Sequence, residues 1–341
     1  MASEPSGPGQ ETSEMLKMLN GFLTVQALHV ATVLGIPDRL DEGAKSIDEL
    51  ATATGAHPPS LYRLLRMLAG SGVFQEEADG RFALTPLGGT LRSEGVDSVR
   101  DWALFIGDSA MWENWGRLRD SVMTGEPAFV RAHGMALWDY MATHPEVGTP
   151  FDRWMSRQSD QHNAAIIASY DFSPFRTVAD LGGGQGSTLA AILRANPSLR
   201  GVLIDLPHVV ASPDPLEAAG VSDRCEVIGG NILQGVAHGA DAYLVKRVLM
   251  VFDDLTATTV LRNCVAAMPD DGKVLVVEMV VPVGNVPSLA KGFDLLMMLN
   301  QAGRMRTEAE FRDLFAAAGL RLARVIPTAS PNSILEGVRV W

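Results

Sequence analysis

Residues 180–186 have the composition of a loop that binds a small molecule. They read Asp-Leu-Gly-Gly-Gly-Gln-Gly and follow a short apolar segment. Glycines at Gly182, Gly184 and Gly186 let the backbone turn tightly and approach a ligand closely. The third of these glycines comes two positions after the second, whereas in the dinucleotide fingerprint it comes three positions after. Asp180, at the end of the segment, suits the ammonium group of an amino acid better than a pyrophosphate.

A second carboxylate, Asp205, ends the next apolar segment, Gly-Val-Leu-Ile-Asp. A carboxylate at this place can accept hydrogen bonds from both hydroxyls of a ribose. The alternative interpretation is a solvated turn residue before Pro207. With the glycine loop upstream, we favour ribose binding.

The elements that must position these groups alternate between strands and helices. Apolar runs predict strands at 177–181, 201–205, 241–245 and 273–278, and helices at 187–194 and 254–268. Such alternation is typical of an α/β doubly wound parallel sheet.

The N-terminal part has a different pattern. A helical period runs over 14–36, Ser46 and Glu49 form a capping box, and a further helix starts at His57-Pro-Pro. Two short strands at 72–74 and 80–85 follow, which completes a winged-helix-like pattern. Such a module either binds DNA or serves packing and dimerisation. The second helix carries only Arg63 and Arg66, so dimerisation is favoured.

We therefore expect four segments. They are a disordered tail over 1–14, a winged-helix-like domain over 15–97, a helical linker lining the pocket over 98–170, and an α/β domain over 171–341. The linker is rich in tryptophan, with Trp102, Trp112, Trp115, Trp138 and Trp154.

Composition excludes several classes of protein. The net charge of −12 disfavours nucleic acid and anionic membranes as partners, because binding phosphates requires clustered cations. No apolar run is long enough to span a membrane, and the polar, acidic N-terminus does not resemble a signal peptide. Cys225 and Cys264 lack metal-ligand spacing, so we expect a cytoplasmic protein without disulfides or a metal.

Taken in order, these motifs resemble the plant-type small-molecule O-methyltransferase family, in its bacterial natural-product branch. The resemblance rests on VADLGGGQGSTLAAIL, GVLIDLPHVV, VIGGNILQG, LVKRVLMVFDD, GKVLVVEMVVP and GRMRTEAEFRDLFAAAGL, and upstream on GIPDRL, LYRLLRML and FALTPLG. It implies a Rossmann-like domain that binds S-adenosylmethionine (SAM), an N-terminal dimerisation domain, a homodimer and a small-molecule substrate.

The resemblance also implies roles for particular residues. The cofactor positions are Asp180, Gly182, Gly184, Gly186, Asp205, Leu206, Asn231, Ile232 and Lys246. Asn231 stands where the family usually has an aspartate that contacts the adenine end. The substrate positions are Phe151, Met155, Met250, Asn300 and Met305.

The departures from the family concern the catalytic base. The family's histidine is replaced by Met250, and one of its two carboxylate partners is replaced by Met305. The other partner, Glu278, is retained. A thioether cannot accept a proton near neutral pH. Either the pocket is adapted to a different reaction, or another group has taken over.

Candidates for a replacement base are few. His162 lies on the helix before the α/β domain, and His133 lies in the segment Arg-Ala-His-Gly-Met. For each of them an ordinary structural histidine remains the simpler interpretation. Without a partner, Glu278 is expected to be a buried carboxylate with a raised pKa.

Three functions remain open at this point. The first is methyl transfer to an acceptor that needs little help, such as an acidic phenol or a nucleophilic ring carbon. The second is a SAM-binding protein that catalyses a cyclisation, decarboxylation or hydroxylation instead. The third is a DNA-binding regulator. A methionine-rich lining (Met250, Met297, Met298, Met305) favours a flat, hydrophobic substrate, although methionines at helical spacing are also typical of an ordinary core.

Overall fold

The computed structural model describes residues 9–95 and 97–340. They form two compact units. One comprises the chain up to Glu113 together with Trp138–Trp154, and the other comprises Asn114–Leu137 and Met155–Trp341.

The N-terminal elements follow the winged-helix order. They are α1 (Gln10–Leu19), α2 (Gly21–Val33), α3 (Ile36–Arg39), α4 (Ile47–Thr54), α5 (Pro58–Gly70), β1 (Phe74–Glu76), β2 (Phe82–Leu84) and α6 (Pro86–Gly89). The capping box is present, since Ser46 Oγ accepts from Glu49 N and the Glu49 carboxylate accepts from Ser46 N. β1 and β2 pair antiparallel as the wing.

Two expectations for the N-terminus need correction. α1 begins at Gln10, inside the segment expected to be a disordered tail, and residues 1–8 of that tail lie outside the described residues. The single helix expected over 14–36 is two helices that meet at Asn20. A continuous hydrophobic period does not reveal a short break of this kind.

The segment expected as a linker is helical throughout. It contains α7 (Arg100–Gly107), α8 (Ser109–Trp115), α9 (Leu118–Thr124), α10 (Ala128–His133), α11 (Leu137–Thr143) and α12 (Pro145–Ser169). It is divided between the two units, and α12 itself changes unit between Trp154 and Met155.

The C-terminal elements build the α/β unit. They are β3 (Thr177–Leu181), α13 (Ser187–Ala195), β4 (Arg200–Asp205), α14 (Asp214–Ala218), β5 (Cys225–Gly229), β6 (Ala242–Lys246), α15 (Asp254–Ala267), β7 (Lys273–Glu278), β8 (Val280–Val281), α16 (Leu289–Asn300), β9 (Arg306–Thr307), α17 (Glu308–Ala317), β10 (Leu320–Pro327) and β11 (Ser333–Arg339). Three-residue turns of 3₁₀ helix occupy Ser222–Arg224 and Leu249–Val251.

Seven strands form the main sheet in the order β10-β11-β7-β6-β3-β4-β5. The strands from β7 to β5 run parallel, as expected, but β11 pairs antiparallel with both β7 and β10. The four predicted strands are parallel as expected, and the sheet is mixed because β10 and β11, which were not predicted, add an antiparallel edge. Mixed sheets of this kind are common in doubly wound folds.

Successive side chains along each strand pack into two different apolar cores, one on each face of the sheet. Ala179, Tyr243 and Val276 face one core together with α15 and α17, whereas Val178, Leu244 and Val277 face the other together with α13. Because both faces are covered, the carboxyl edge of the strands is where the sheet can present polar groups to a ligand. None of the described helices combines the length and apolarity that crossing a membrane requires.

Candidate active site

The predicted cofactor residues follow four neighbouring parallel strands. Lys246 ends β6, Asp180 lies near the end of β3, Asp205 ends β4, and Asn231 comes soon after β5. These strands are adjacent in the order β6-β3-β4-β5, so their carboxyl ends share one edge. The chain leaves β3 towards β4 and later returns to β6 on the other side. This reversal of strand order is where open α/β sheets bind ligands.

The glycine loop joins β3 to α13. Gly182 N donates to Ile204 O at 2.7 Å, which brings the loop over the end of β4. A Cβ on Gly182 would lie 2.7 Å from Cγ2 of Val248, so a side chain is excluded there. Gly184 has φ 61° and faces open space, so its backbone conformation favours glycine while the surroundings stay clear. This leaves the loop accessible to a ligand at Gly184.

Asp180 is almost fully buried, and neither carboxylate oxygen has a hydrogen-bond partner among the described residues. Burial raises its pKa to about 7; nearby Lys246 lowers the pKa and Asp205 raises it. A buried acceptor without a donor is unfavourable. An ammonium group of a ligand, directly or through water, would supply the missing donor.

Asp205 is held by backbone amides on both sides. Oδ2 accepts from Gly184 N at 2.8 Å, and Oδ1 accepts from Leu206 N at 2.7 Å. Burial raises its pKa, and these two hydrogen bonds lower it. Each oxygen keeps acceptor capacity, so the carboxylate can also receive the two hydroxyls of a ribose.

The residues predicted at the adenine end lie beside Asp205. Gly230 N donates to Asp205 O at 2.8 Å, which ties the end of β5 to that of β4. Asn231 Oδ1 accepts from Leu233 N at 2.9 Å and thus shapes the following turn. Leu206 is 42% exposed, whereas Ile232 is buried. An exposed leucine next to the carboxylate predicted to bind the ribose is suited to pack against a flat base.

Lys246 connects α12 to α13. Its ammonium donates to Ser159 Oγ at 2.8 Å and to Thr188 Oγ1 at 3.0 Å. Burial lowers its pKa to about 8, and Asp180 acts in the opposite direction. A second hydrogen bond links the same two helices, since Ser187 Oγ on α13 donates to Asp160 Oδ1 on α12 at 2.6 Å. Sequence reasoning missed these α12 partners, although the polar run at 156–163 was a signal for them.

The two methionines that are predicted to replace polar family residues lie in one cluster. Met250 sits in the 3₁₀ turn after β6, and Met305 comes 55 positions later in the sequence. Both are buried in a cluster formed by Met250, Met279, Ala290, Met297 and Met305. A side chain on Gly303 would collide with Met250 O, so the two segments are in backbone contact.

Glu278 lies next to this cluster at the end of β7. Its Oε1 accepts from Met250 N at 2.9 Å, while Oε2 has no partner among residues 9–95 and 97–340. Burial raises its pKa to about 7, against the lowering effects of the Met250 amide, Arg306 and Arg247. The raised pKa agrees with the expectation for a buried carboxylate that has lost its family partner.

Arg306 fixes the turn from the other side and was not singled out from the sequence. The side chain is fully buried and donates to Leu249 O and Phe252 O, at 2.9 Å each. It also pairs with Asp254 at 2.8 Å. The guanidinium thus saturates backbone carbonyls of the segment that carries Met250.

Comparison with known proteins assigns the chain to a family. An O-methyltransferase domain model matches residues 115–321, and an O-methyltransferase dimerisation domain model matches residues 16–94. The chain belongs to the O-methyltransferase family. Methyltransferases of this family use SAM, and the dimerisation domain supports a homodimer.

Three similar proteins illustrate the family. Phenazine O-methyltransferase PhzM from Lysobacter antibioticus is 43% identical over 95% of both chains. The solved structure of mitomycin 7-O-methyltransferase MmcR is 36% identical, with a TM-score of 0.91, and covers 97% of this chain and 98% of its own. The O-methyltransferase NcsB1 from neocarzinostatin biosynthesis, solved with SAM and 2-hydroxy-5-methyl naphthoic acid, is 33% identical, with a TM-score of 0.83, over 93% and 96%.

The predicted substrate residues of this O-methyltransferase lie in both units. Met250, Met305 and Asn300 belong to the α/β unit, where Asn300 is buried and accepts from Asn114 Nδ2 at 3.0 Å. Met155 lies in the same unit. Phe151 lies in the other unit, in an aromatic cluster with Phe105, Trp138 and further rings. Their roles towards a substrate stay predictions.

The histidines considered as replacement bases differ in their surroundings. His162 is buried, its Nδ1 lies 3.2 Å from Asn332 Nδ2, and burial with Arg247 and Lys246 nearby lowers its pKa to about 4. Such a histidine is neutral at pH 7 and accepts a proton poorly, which argues against a role as base. His133 packs its ring on Phe129, with ring centroids 4.3 Å apart.

Proposed function

We propose that this O-methyltransferase transfers a methyl group from SAM to a hydroxyl of a small hydrophobic aromatic or polyketide-like metabolite, without the histidine base of its family. The observation that carries the proposal is the carboxyl edge of the sheet, where Asp180 and Asp205 flank an open glycine loop. Related proteins act on phenazines and mitomycins and bind a hydroxynaphthoic acid. These names support an aromatic acceptor.

The residues of this edge fit SAM chemically. We assign the methionine ammonium group to Asp180, whose buried oxygens lack donors. The ribose hydroxyls are assigned to Asp205, and the adenine to the surface formed by Leu206, Asn231 and Ile232. When bound, SAM supplies an electrophilic methyl group on a sulfonium. Gly182, Gly184 and Gly186 keep the loop free of side chains, and Lys246 holds α12 against α13 beside it.

The chain's own contribution to the chemistry is alignment. Met250 and Met305 form an apolar, polarisable wall suited to a flat ring. Methyl transfer is an in-line displacement that depends strongly on proximity and orientation. An acceptor hydroxyl that is already ionised near neutral pH needs no protein base, and its proton goes to solvent. This accounts for an active site in which both family positions are methionine.

Segment roles follow from the same proposal. We assign dimerisation to residues 15–97 and propose that α12 and the other helices of 98–170 line the acceptor pocket with Phe151 and Met155. We also propose a cytoplasmic location, where SAM and biosynthetic intermediates are available.

A product screen tests the proposal. The enzyme is incubated with SAM and a panel of hydroxylated naphthoic acids, phenazines and benzoates, and both product and cofactor are analysed by mass spectrometry. We expect one added methyl group and an equal amount of S-adenosylhomocysteine (SAH). Chemical change of an acceptor with intact SAM would instead support a cyclisation, decarboxylation or hydroxylation.

A further inference from the structure

Arg247 has an unusual backbone conformation. It follows Lys246 at the end of β6, and its φ of 56° makes it the sole non-glycine residue with positive φ in the described part of the chain. Its N–H donates to Val277 O at 3.0 Å, so the conformation is fixed by the sheet. A long side chain in the left-handed region is strained, and such strain concentrates at ligand-binding positions.

The side chain of Arg247 lacks a counter-ion. Within residues 9–95 and 97–340, no carboxylate lies within ion-pair distance of it, and its buried Nε has no hydrogen-bond partner. Burial lowers its pKa, while the nearby Glu278 raises it. The side chain is half-buried, and a guanidinium whose Nε is buried without an acceptor can pair with an anion of a ligand.

Arg247 lies beside the methionine cluster. Its guanidinium carbon is 6.0 Å from the centroid of Phe293 on α16, and Phe293 packs against the cluster that contains Met250 and Met305. Two carboxylates lie next to this cluster, Glu278, which accepts from Met250 N, and Asp294, which accepts from Met305 N. Glu278 acts on the charge of Arg247, but the two side chains do not form an ion pair. The cation therefore lies at the site that we assign to the acceptor, and no side chain of the described residues forms an ion pair with it.

We propose that Arg247 binds an oxyanion of the acceptor, either a ring carboxylate or the ionised hydroxyl that is methylated. This inference rests on the proposed function. A guanidinium forms paired, charge-assisted hydrogen bonds with such oxygens, which a lysine cannot reproduce. In the second case Arg247 stabilises the phenolate after its proton has gone to solvent. The phenolate oxygen then forms the bond to the methyl carbon, and the carbon–sulfur bond breaks with its electrons left on sulfur.

Two probes distinguish the sources of the oxyanion. They are 2-hydroxy-5-methyl naphthoic acid and the corresponding naphthol without the carboxyl group. Binding of each to the SAH-loaded dimer is measured by calorimetry for the wild type, Arg247→Met and Arg247→Lys. Arg304→Met is the matched control, because Arg304 lies on the same unit but pairs with Asp254 and Glu310. Circular dichroism and sedimentation verify that each variant is folded and dimeric.

We expect Arg247→Met to weaken binding of the acid at least tenfold, Arg247→Lys to have a smaller effect, and Arg304→Met to have none. A loss confined to the acid identifies the ring carboxylate. A loss for both probes that grows as the hydroxyl ionises identifies the phenolate.

Other outcomes overturn the inference. These are unchanged binding of both probes in Arg247→Met, binding of neither probe by a wild type that binds SAH, or an equal loss of SAM and SAH affinity in Arg247→Met. The last result would assign Arg247 to the carboxylate of the cofactor. A wild type that binds neither SAM nor SAH would instead contradict the proposed function itself.

Discussion

The backbone amide of Met250 donates a 2.9 Å hydrogen bond to Oε1 of Glu278, at the place where the resemblance to the family predicts a histidine paired with this carboxylate. The glutamate is therefore kept, but it binds the backbone of the replaced residue. Its second oxygen has no partner among the described residues, and its pKa is raised to about 7. The carboxylate that is predicted to assist the family's catalytic base is thus retained, but its surroundings favour the neutral, protonated form.

Replacing Glu278 by Gln should flatten the dependence of stability on pH. Because the folded-state pKa is raised from 4.5 to about 7, the folded protein binds the proton more tightly, and wild-type stability falls as pH rises through this window. The effect amounts to roughly 3 kcal/mol. Gln keeps an oxygen for Met250 N. Between pH 4.5 and pH 7.5, the free energy of unfolding, measured with urea, should therefore fall in the wild type by about this amount more than in Glu278→Gln.

The wild type and Glu278→Gln must be compared with each other, because other groups also titrate in this pH range. Asp180, with a pKa raised to about 7, destabilises in the same direction, whereas His162, with a pKa lowered to about 4, makes the protein gain stability as pH rises from 4 to 6.5. Both remain in the variant. Parallel pH curves for wild type and variant would show that Glu278 is ionised in the folded protein near pH 5.

Arg306 should be the main anchor of the turn that carries Met250. It is fully buried and donates to Leu249 O, Phe252 O and Asp254. Its ionic partner Asp254 is exposed, so removing the guanidinium mainly leaves the two carbonyls without their donor, which costs about 1–3 kcal/mol for each unpaired group. We expect Arg306→Met to lower the free energy of unfolding, measured with urea, by the cost of leaving both carbonyls unpaired.

Arg304→Ala is its control. Arg304 pairs with the same Asp254 at 3.1 Å but is exposed, so the expected loss is below about 1 kcal/mol. Equal effects of the two variants would mean that the hydrogen bonds to the carbonyls contribute little.

Asp205 should matter for SAM binding. Asp205→Ala leaves the amides of Gly184 and Leu206 without their acceptor and removes the assigned ribose contact. Unpaired hydrogen-bonding groups cost about 1–3 kcal/mol, or roughly 5- to 150-fold in affinity. We expect a loss in this range by calorimetry.

Asp241→Ala is the matched control for this measurement. Asp241 also accepts from two backbone amides, those of Arg176 and Thr177, but at the amino edge of the sheet. It should leave SAM affinity unchanged. A similar loss in both variants, or dissociation of the dimer in Asp205→Ala with SAM affinity intact, would indicate a structural role for Asp205.

Much of the fold was predictable because the parallel strands are buried on both faces. β7 occupies the predicted residues 273–278, and β3 was predicted at 177–181. β5 was missed because it is an edge strand with a largely exposed pattern. The antiparallel pairing of β11 with β7 was not predicted, because apolar periodicity does not encode which strand pairs with which or in what direction.

The candidate site was predictable where short motifs carry it. The glycine loop, Asp205 and the replacement at Met250 are visible in the sequence. Arg306 and Arg247 were not singled out, because their significance depends on backbone carbonyls, a left-handed φ and the absence of a nearby carboxylate. These features arise only when distant segments meet in the fold.

Turnover of Met250→His tests most directly the central claim that methyl transfer proceeds without a base at this position. The variant introduces the histidine that the resemblance predicts beside Glu278. Met250→Leu serves as a control of similar volume and is expected to stay within about tenfold of the wild type. Initial rates are measured at pH 7 on the acceptor found in the product screen and on a less acidic analogue. The account predicts no gain for Met250→His on the acceptor and a gain confined to the analogue. General-base assistance is typically worth about 10²–10⁴-fold. A gain of that size on the acceptor itself would show that a missing base limits the reaction, and would contradict the account.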